Sequence, residues 1–138
     1  NQVIRGQRAD HLTAIIQSSS TGIALIQGLA HSELLTLNCS ISIMMGMNIG
    51  TCATTLISSI TSDRNGKRAA IIHLLFNIIG VLAFYPFLNN FTTFIYQLTP
   101  YAPVNQISNA HTLFNIANAL LLFPFISLLV YISKKIIR

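Results

Sequence analysis

Gln17, Ser18, Ser19, Ser20 and Thr21 stand side by side inside an apolar run, with residues 12–16 before them and 23–26 behind Gly22. Hydroxyl and amide groups donate and accept hydrogen bonds without carrying charge, so the chemistry open to them is coordination. No carboxylate pair, nucleophile–histidine set or phosphate-binding Walker loop lies in the apolar segments, and an enzyme is not expected. Ser, Thr and Gly weaken a helix, so the run predicts a break or an unwound turn at these residues. Lipid leaves such backbone no partners, so a break there requires a protein or polar cavity around it. The bland alternative is that the hydroxyls bond across helices as packing glue.

A second polar stretch occurs in the next apolar segment, Gly46-Met47-Asn48-Ile49-Gly50-Thr51, followed by Thr54 and Thr55. Two glycines around Asn48 predict another unwound point, while Gly46 and Gly50 alone make a G-x-x-x-G spacing that lets two helices approach. Two polar breaks in consecutive apolar segments are the pattern of a transporter with discontinuous helices.

The elements that must position these residues follow from the charge distribution. Charged residues make up 8% of the chain and apolar ones 52%, where a soluble domain carries about a quarter charged. Charges fall at Arg5, Arg8 and Asp10, at Glu33, from Asp63 to Arg68, and from Lys134 to Arg138. The uncharged stretches between them exceed the roughly 20 residues a helix needs to span a bilayer. These features predict an all-α, polytopic membrane protein, a single transmembrane domain over residues 1–138, with apolar segments at about 12–30, 34–60, 69–87 and 109–132. The basic residues sit at segment ends, as topology marks and not as a nucleic-acid face. Cys39 and Cys52 show no metal spacing and read as small core residues. The chain starts at Asn1 with no basic-then-apolar leader and is read as beginning inside a longer protein.

Taken in order, residues 30–33 give a turn, with Ser32 as the expected cap of the second segment and His31 a solvated loop residue. Residues 61–68 read as a charged loop turning at Asn65-Gly66. Residues 88–108 are uncharged but rich in Asn, Thr, Pro, Tyr and Gln, and read as a far-side loop with a short interfacial helix at 91–98. Arg64, Lys67, Arg68 and the tail bases then share the cytoplasmic side, because segments three and four form one out-and-back pair. The parity of the first two segments stays open: either spans, or the first is a re-entrant hairpin.

An internal repeat marks the second half: His73-Leu74-Leu75-Phe76-Asn77-Ile78 is answered by His111-Thr112-Leu113-Phe114-Asn115-Ile116. Each copy closes on an aromatic–proline element, Tyr85-Pro86-Phe87 and Phe123-Pro124-Phe125. His73 with Asn77, and His111 with Asn115, lie one turn apart on one helix face. The expectation is that these polar faces hold the bundle by interhelical hydrogen bonds and do not handle substrate.

Together, Gln17-Ser18-Ser19-Ser20, the Gly46–Thr51 stretch, Arg68-Ala69-Ala70 leading to His73 and Phe76-Asn77, and the run from Asn109 to Asn115 closely resemble the bacterial branch of the sodium-dependent phosphate cotransporter family. The similarity covers residues from about 12 to 125, with the motifs in the family's order, and is that of the second of the family's two inverted repeats. The family carries two Gln-Ser-Ser-Ser elements where this chain has one, and Met47 and Cys52 stand where smaller or hydroxyl residues are usual. The resemblance implies sodium-coupled transport of inorganic phosphate across a cell (inner or plasma) membrane. Gln17, Ser18, Ser19, Ser20, Thr21, Asn48 and Thr51 would supply one half of the site. Na+ would be the coupling ion, with no cofactor and no other metal. The partners implied are phosphate, Na+, the bilayer, and the missing repeat or a second copy of the chain, with no nucleic acid. A broken helix suits this chemistry, since freed N–H groups meet the anion while hydroxyls and carbonyls surround the cation. The competing reading is a non-transporting membrane scaffold or regulatory partner whose polar residues only join helices.

Overall fold

The computed structural model describes residues 19–138. The expectations placed on Gln17 and Ser18 lie outside the described residues, as does the start of the first apolar segment.

Helix α1 covers 19–31. It turns Ile26 and Ala30 into the core, with Ile23 packed beside them, the one-turn spacing of a single helix face. The helix ends in a Schellman arrangement: Leu34 N–H donates to Leu29 carbonyl at 3.0 Å and Glu33 N–H to Ala30 carbonyl at 3.1 Å. Glu33 takes the left-handed conformation this cap requires, with φ 58°, although glycine is the residue that adopts it without cost. The next helix is capped not by Ser32, as the sequence suggests, but by Thr36. Its Oγ1 accepts from Cys39 N–H at 3.3 Å, while Ser32 is consumed by the turn.

Helix α2, Leu37–Ser59, runs without interruption through Gly46, Asn48, Gly50 and Thr51, so the expected second break is absent. The physical reason is local. Ser42, Thr51 and Cys52 each donate to the carbonyl one turn back, Asn38, Met47 and Asn48, at 2.9, 3.0 and 3.2 Å. Hydroxyls that bond to their own helix need no cavity to survive at lipid depth. Residues 19–22 are likewise helical, so no unwinding occurs in the described part of the serine run.

Helix α3, Arg64–Phe84, starts earlier than the expected charged loop allows, because Asp63 Oδ1 accepts from Gly66 N–H at 2.8 Å and caps it. Pro86 does not end the span. One turn tightens to a 3-10 segment, Tyr85–Phe87, and the chain continues as α4, Leu88–Leu98. The second arm repeats this plan as α5, Pro103–Leu122, a 3-10 turn at Phe123–Phe125, and α6, Ile126–Ile136. Both arms change helix type at their aromatic–proline elements and resume at matching positions of the repeat.

Most of residues 88–108, read from sequence as a loop, is therefore helical. Leu88, Phe91 and Ile95 recur on one face of α4 and meet the core, which leaves the Asn and Thr residues to the other faces. Only residues 99–102 connect the arms. Gln106 is buried there by donating to Thr99 carbonyl at 2.8 Å, and Asn109 Nδ2 reaches Thr99 Oγ1 at 3.4 Å.

The core gathers Ile26, Ala30, Ile41, Met44, Met45, Ile95, Ile107, Ala110 and Phe114 from α1, α2, α4 and α5. Phe84 meets Phe114 and Phe91 edge-to-face, at centroid distances of 5.1 and 5.7 Å. The outside is equally apolar: Leu82, Leu120 and Phe123 are 68, 72 and 72% exposed. Burying such surface is what drives folding in water, so its exposure over whole helices identifies lipid as the surrounding solvent. Among the described residues three helices are long and apolar enough to cross a membrane, Leu37–Ser59, Arg64–Leu98 and Pro103–Ile136. The protein is an all-helical membrane protein, with no strand among the described residues.

Candidate functional site

The polar residues of α1 and α2 meet at one place. Ser19 Oγ lies 3.1 Å from Thr51 Oγ1. Thr51 has one hydroxyl proton and gives it to Met47 carbonyl, so Ser19 is the donor of the pair. Gly22 lies against the end of the Met47 side chain, which fills the space a Cβ there would take. One turn before Thr51 on the same helix, Asn48 buries its Nδ2 with no hydrogen-bond partner among the described residues. An unpaired buried amide donor costs about 1–3 kcal/mol, which an anion or a carbonyl oxygen placed there would recover.

The cluster continues into α3. Cys52, fully buried, places Sγ 3.2 Å from Asn48 carbonyl and 3.7 Å from His73 carbonyl, bridging α2 and α3. Hydroxyls, an amide and carbonyls therefore converge with no charged side chain among them. That set offers oxygens to a monovalent cation and N–H or O–H groups to an anion. Among the described residues no group of His, Cys, Asp and Glu could hold a metal ion.

Of the residues singled out in the sequence, Ser19, Asn48 and Thr51 come together. Ser20 and Thr21 lie on the exposed side of α1. The His–Asn faces behave differently from the expectation. Asn77 Nδ2 donates to His73 carbonyl at 3.0 Å and Asn115 Nδ2 to His111 carbonyl at 2.7 Å, so both amides return to their own helices, and Asn77 also meets the Cys52 side chain of α2. The reason is the i, i+4 spacing itself, which brings each amide over the carbonyl one turn back.

Three cross-helix amides are absent from the sequence reading. Gln27 ties α1 to α5, donating to Ser108 Oγ at 2.7 Å and Val104 carbonyl at 3.1 Å. Asn38 donates to Asn89 Oδ1 at 2.8 Å, joining α2 to α4. Asn118, fully buried, donates to Phe76 carbonyl at 3.3 Å and lies where any Cβ on Gly80 would fall. The repeat held a signal for this last pair: Gly80 and Asn118 occupy the same position of the two copies, one small and one polar. A cavity of about 430 Å³ lined by Ala83, Phe84, Phe87, Phe91 and Leu121 sits at the kink of the first arm, and its apolar wall is unsuited to an ion.

Residues 10–99 match the family model described as Na+/Pi-cotransporter. The Asn109–Asn115 element, part of the resemblance read from sequence, lies beyond that match. The chain is 37% identical over 89 residues to the uncharacterized protein YqeW of Bacillus subtilis, covering 64% of this chain and 29% of that protein. It is 37% identical over 81 residues to human sodium-dependent phosphate transport protein 2B, covering 54% of this chain and 12% of that protein. With rat sodium-dependent phosphate transport protein 2A it shares 34% identity over 94 residues, 64% of this chain and 15% of the relative. The chain thus spans less than a third of the length of each of these relatives. No solved structure matches it.

Proposed function

The chain belongs to the Na+/Pi-cotransporter family, and from that premise we propose that it supplies one half of the substrate and ion site of a sodium-coupled phosphate transporter in the cell membrane. The observation that carries the reading is the uncharged cluster at the α1–α2 contact, the Ser19–Thr51 hydroxyl pair beside the unpartnered Nδ2 of Asn48. Phosphate takes N–H and O–H donors, and Na+ takes hydroxyl and carbonyl oxygens. Gln17, Ser18, Ser20 and Thr21 complete the donor set in this proposal.

The other half comes from a complementary repeat. Gly46 and Gly50 remain exposed on α2, and a Cβ at either meets nothing within 4 Å, which leaves that face open to close approach by another helix. Uptake of radiolabelled phosphate into proteoliposomes tests the function. Accumulation that requires an inward Na+ gradient and is lost with K+ in its place is expected. Uptake indifferent to Na+ would contradict sodium coupling.

The scaffold reading draws on one observation of its own, the amides of Gln27, Asn38 and Asn118 that join neighbouring helices. It predicts no phosphate accumulation under any gradient, with or without a second repeat.

A further inference from the structure

We propose that the end of the hairpin where α3 begins and α6 finishes is a binding surface for the headgroups of anionic phospholipids. Every Lys and Arg among the described residues lies there. Arg64, Lys67 and Arg68 occupy the first turns of α3, Lys134 and Lys135 the last turn of α6, and Arg138 the residue after Ile137. The fold joins the two strings of charge: Arg68 Nε donates to Ile137 carbonyl at 3.1 Å, which fixes Arg138 beside the start of α3. The same guanidinium reaches Asn65 Oδ1 at 3.4 Å, so Arg68 serves as the clamp and its neighbours remain outward-facing. Arg64, Lys134, Lys135 and Arg138 are all exposed.

The described residues leave most of this charge unneutralised. Among the described residues Asp63 is the one carboxylate at this end, and it accepts from Gly66 N–H as the α3 cap. Glu33, the other described carboxylate, lies in the turn before α2, a full helix length away. Six cations against one carboxylate leave a strongly positive surface whose natural counterpart is an array of phosphate groups.

What separates a lipid from a free anion is the neighbouring surface. Ile57 and Ile60 at the end of α2, and Tyr131 and Ile136 on α6, are 68, 66, 54 and 54% exposed at this same end. Lys135 Nζ stands 4.8 Å from the Tyr131 ring centroid, so one cation is stacked on the aromatic that marks the edge of the hydrocarbon. Cations directly beside exposed hydrocarbon match an amphiphile, with its phosphate on the bases and its chains along Ile60 and Ile136. A free ion would use only the charged part. The inference is independent of the transport reading, since it concerns the opposite surface chemistry and none of the cluster residues.

The test is retention of phosphatidylglycerol against phosphatidylcholine by the protein purified in neutral detergent, read by native mass spectrometry. Phosphatidylglycerol is expected to stay bound, phosphatidylcholine to be lost, and retention to fall as salt is raised. The triple variant Lys134→Gln/Lys135→Gln/Arg138→Gln should bind phosphatidylglycerol about a hundredfold more weakly, whereas Lys134→Arg/Lys135→Arg should bind it normally, which separates loss of charge from loss of fold. Equal retention of both lipids, an unaffected triple variant, or displacement of the lipid by excess inorganic phosphate would overturn the proposal. The last result would make this a site for the free anion.

Discussion

At the residue scale, the strongest statements concern groups whose hydrogen bonds can be counted. Thr51 gives its proton to Met47 carbonyl and keeps its lone pairs for Ser19 and for a ligand. Thr51→Ala should therefore weaken the apparent affinity for phosphate or Na+ by about tenfold or more, the worth of a hydrogen bond to a charged group, while insertion into the membrane is unchanged. Thr51→Ser should retain most of it, and uptake kinetics with both variants settle the matter; indifference to both would remove Thr51 from the site. Glu33 permits a test of the fold alone. Its left-handed backbone costs an ordinary side chain about 1 kcal/mol, so Glu33→Gly should stabilise the protein by about that amount in thermal unfolding in detergent. The serine run and Asn48 were legible in the sequence because polar groups at lipid depth demand an explanation. Asn118 was not, because the repeat places it at the position of Gly80 in the other copy without revealing that the two residues meet.

At the element scale, the charge clusters at Asp63 and beyond Ser133 announced where the long arms begin and end. Continuity within the helices was hidden. Gly46, Gly50 and Thr51 look like a break in one dimension, and only the return of hydroxyls to carbonyls one turn back shows why α2 stays whole. Pro86 reads as an end for the same reason, whereas a single 3-10 turn absorbs its missing N–H, as another does at Pro124 within the fourth segment. The contact of α3 with α5 rests on Gly80 and Asn118. Gly80→Ala should destabilise the protein by roughly 1–3 kcal/mol through that clash, and adding Asn118→Ala should cost less than the sum of the single changes. Additive losses in a double-mutant cycle would mean the two residues do not meet. His73→Ala and His111→Ala are expected to lower the amount of folded protein more than substrate affinity, because each His shares its face with an Asn engaged in helix bonds. Normal expression with a large affinity loss would reverse that assignment.

At the scale of the whole molecule, the described residues hold three helices long and apolar enough to span a membrane, a polar cluster with a donor unpaired among them, and an open small-residue face on α2. Each is incomplete in the same sense. In the proposed function the cluster is one side of a site, and alternating access requires two repeats that move against each other around it. Three uncharged stretches in the sequence were enough to identify the membrane class, but the number of partners that close the proposed site depends on surfaces no single chain displays. The direct measurement is sodium-gradient-driven phosphate uptake by residues 1–138 alone and by the same segment assembled with its complementary repeat. Uptake only in the assembled form, abolished or strongly weakened by Ser19→Ala with Thr51→Ala, is the predicted result. Robust sodium-driven uptake by the segment alone, as a monomer in detergent before reconstitution, would contradict the half-site account.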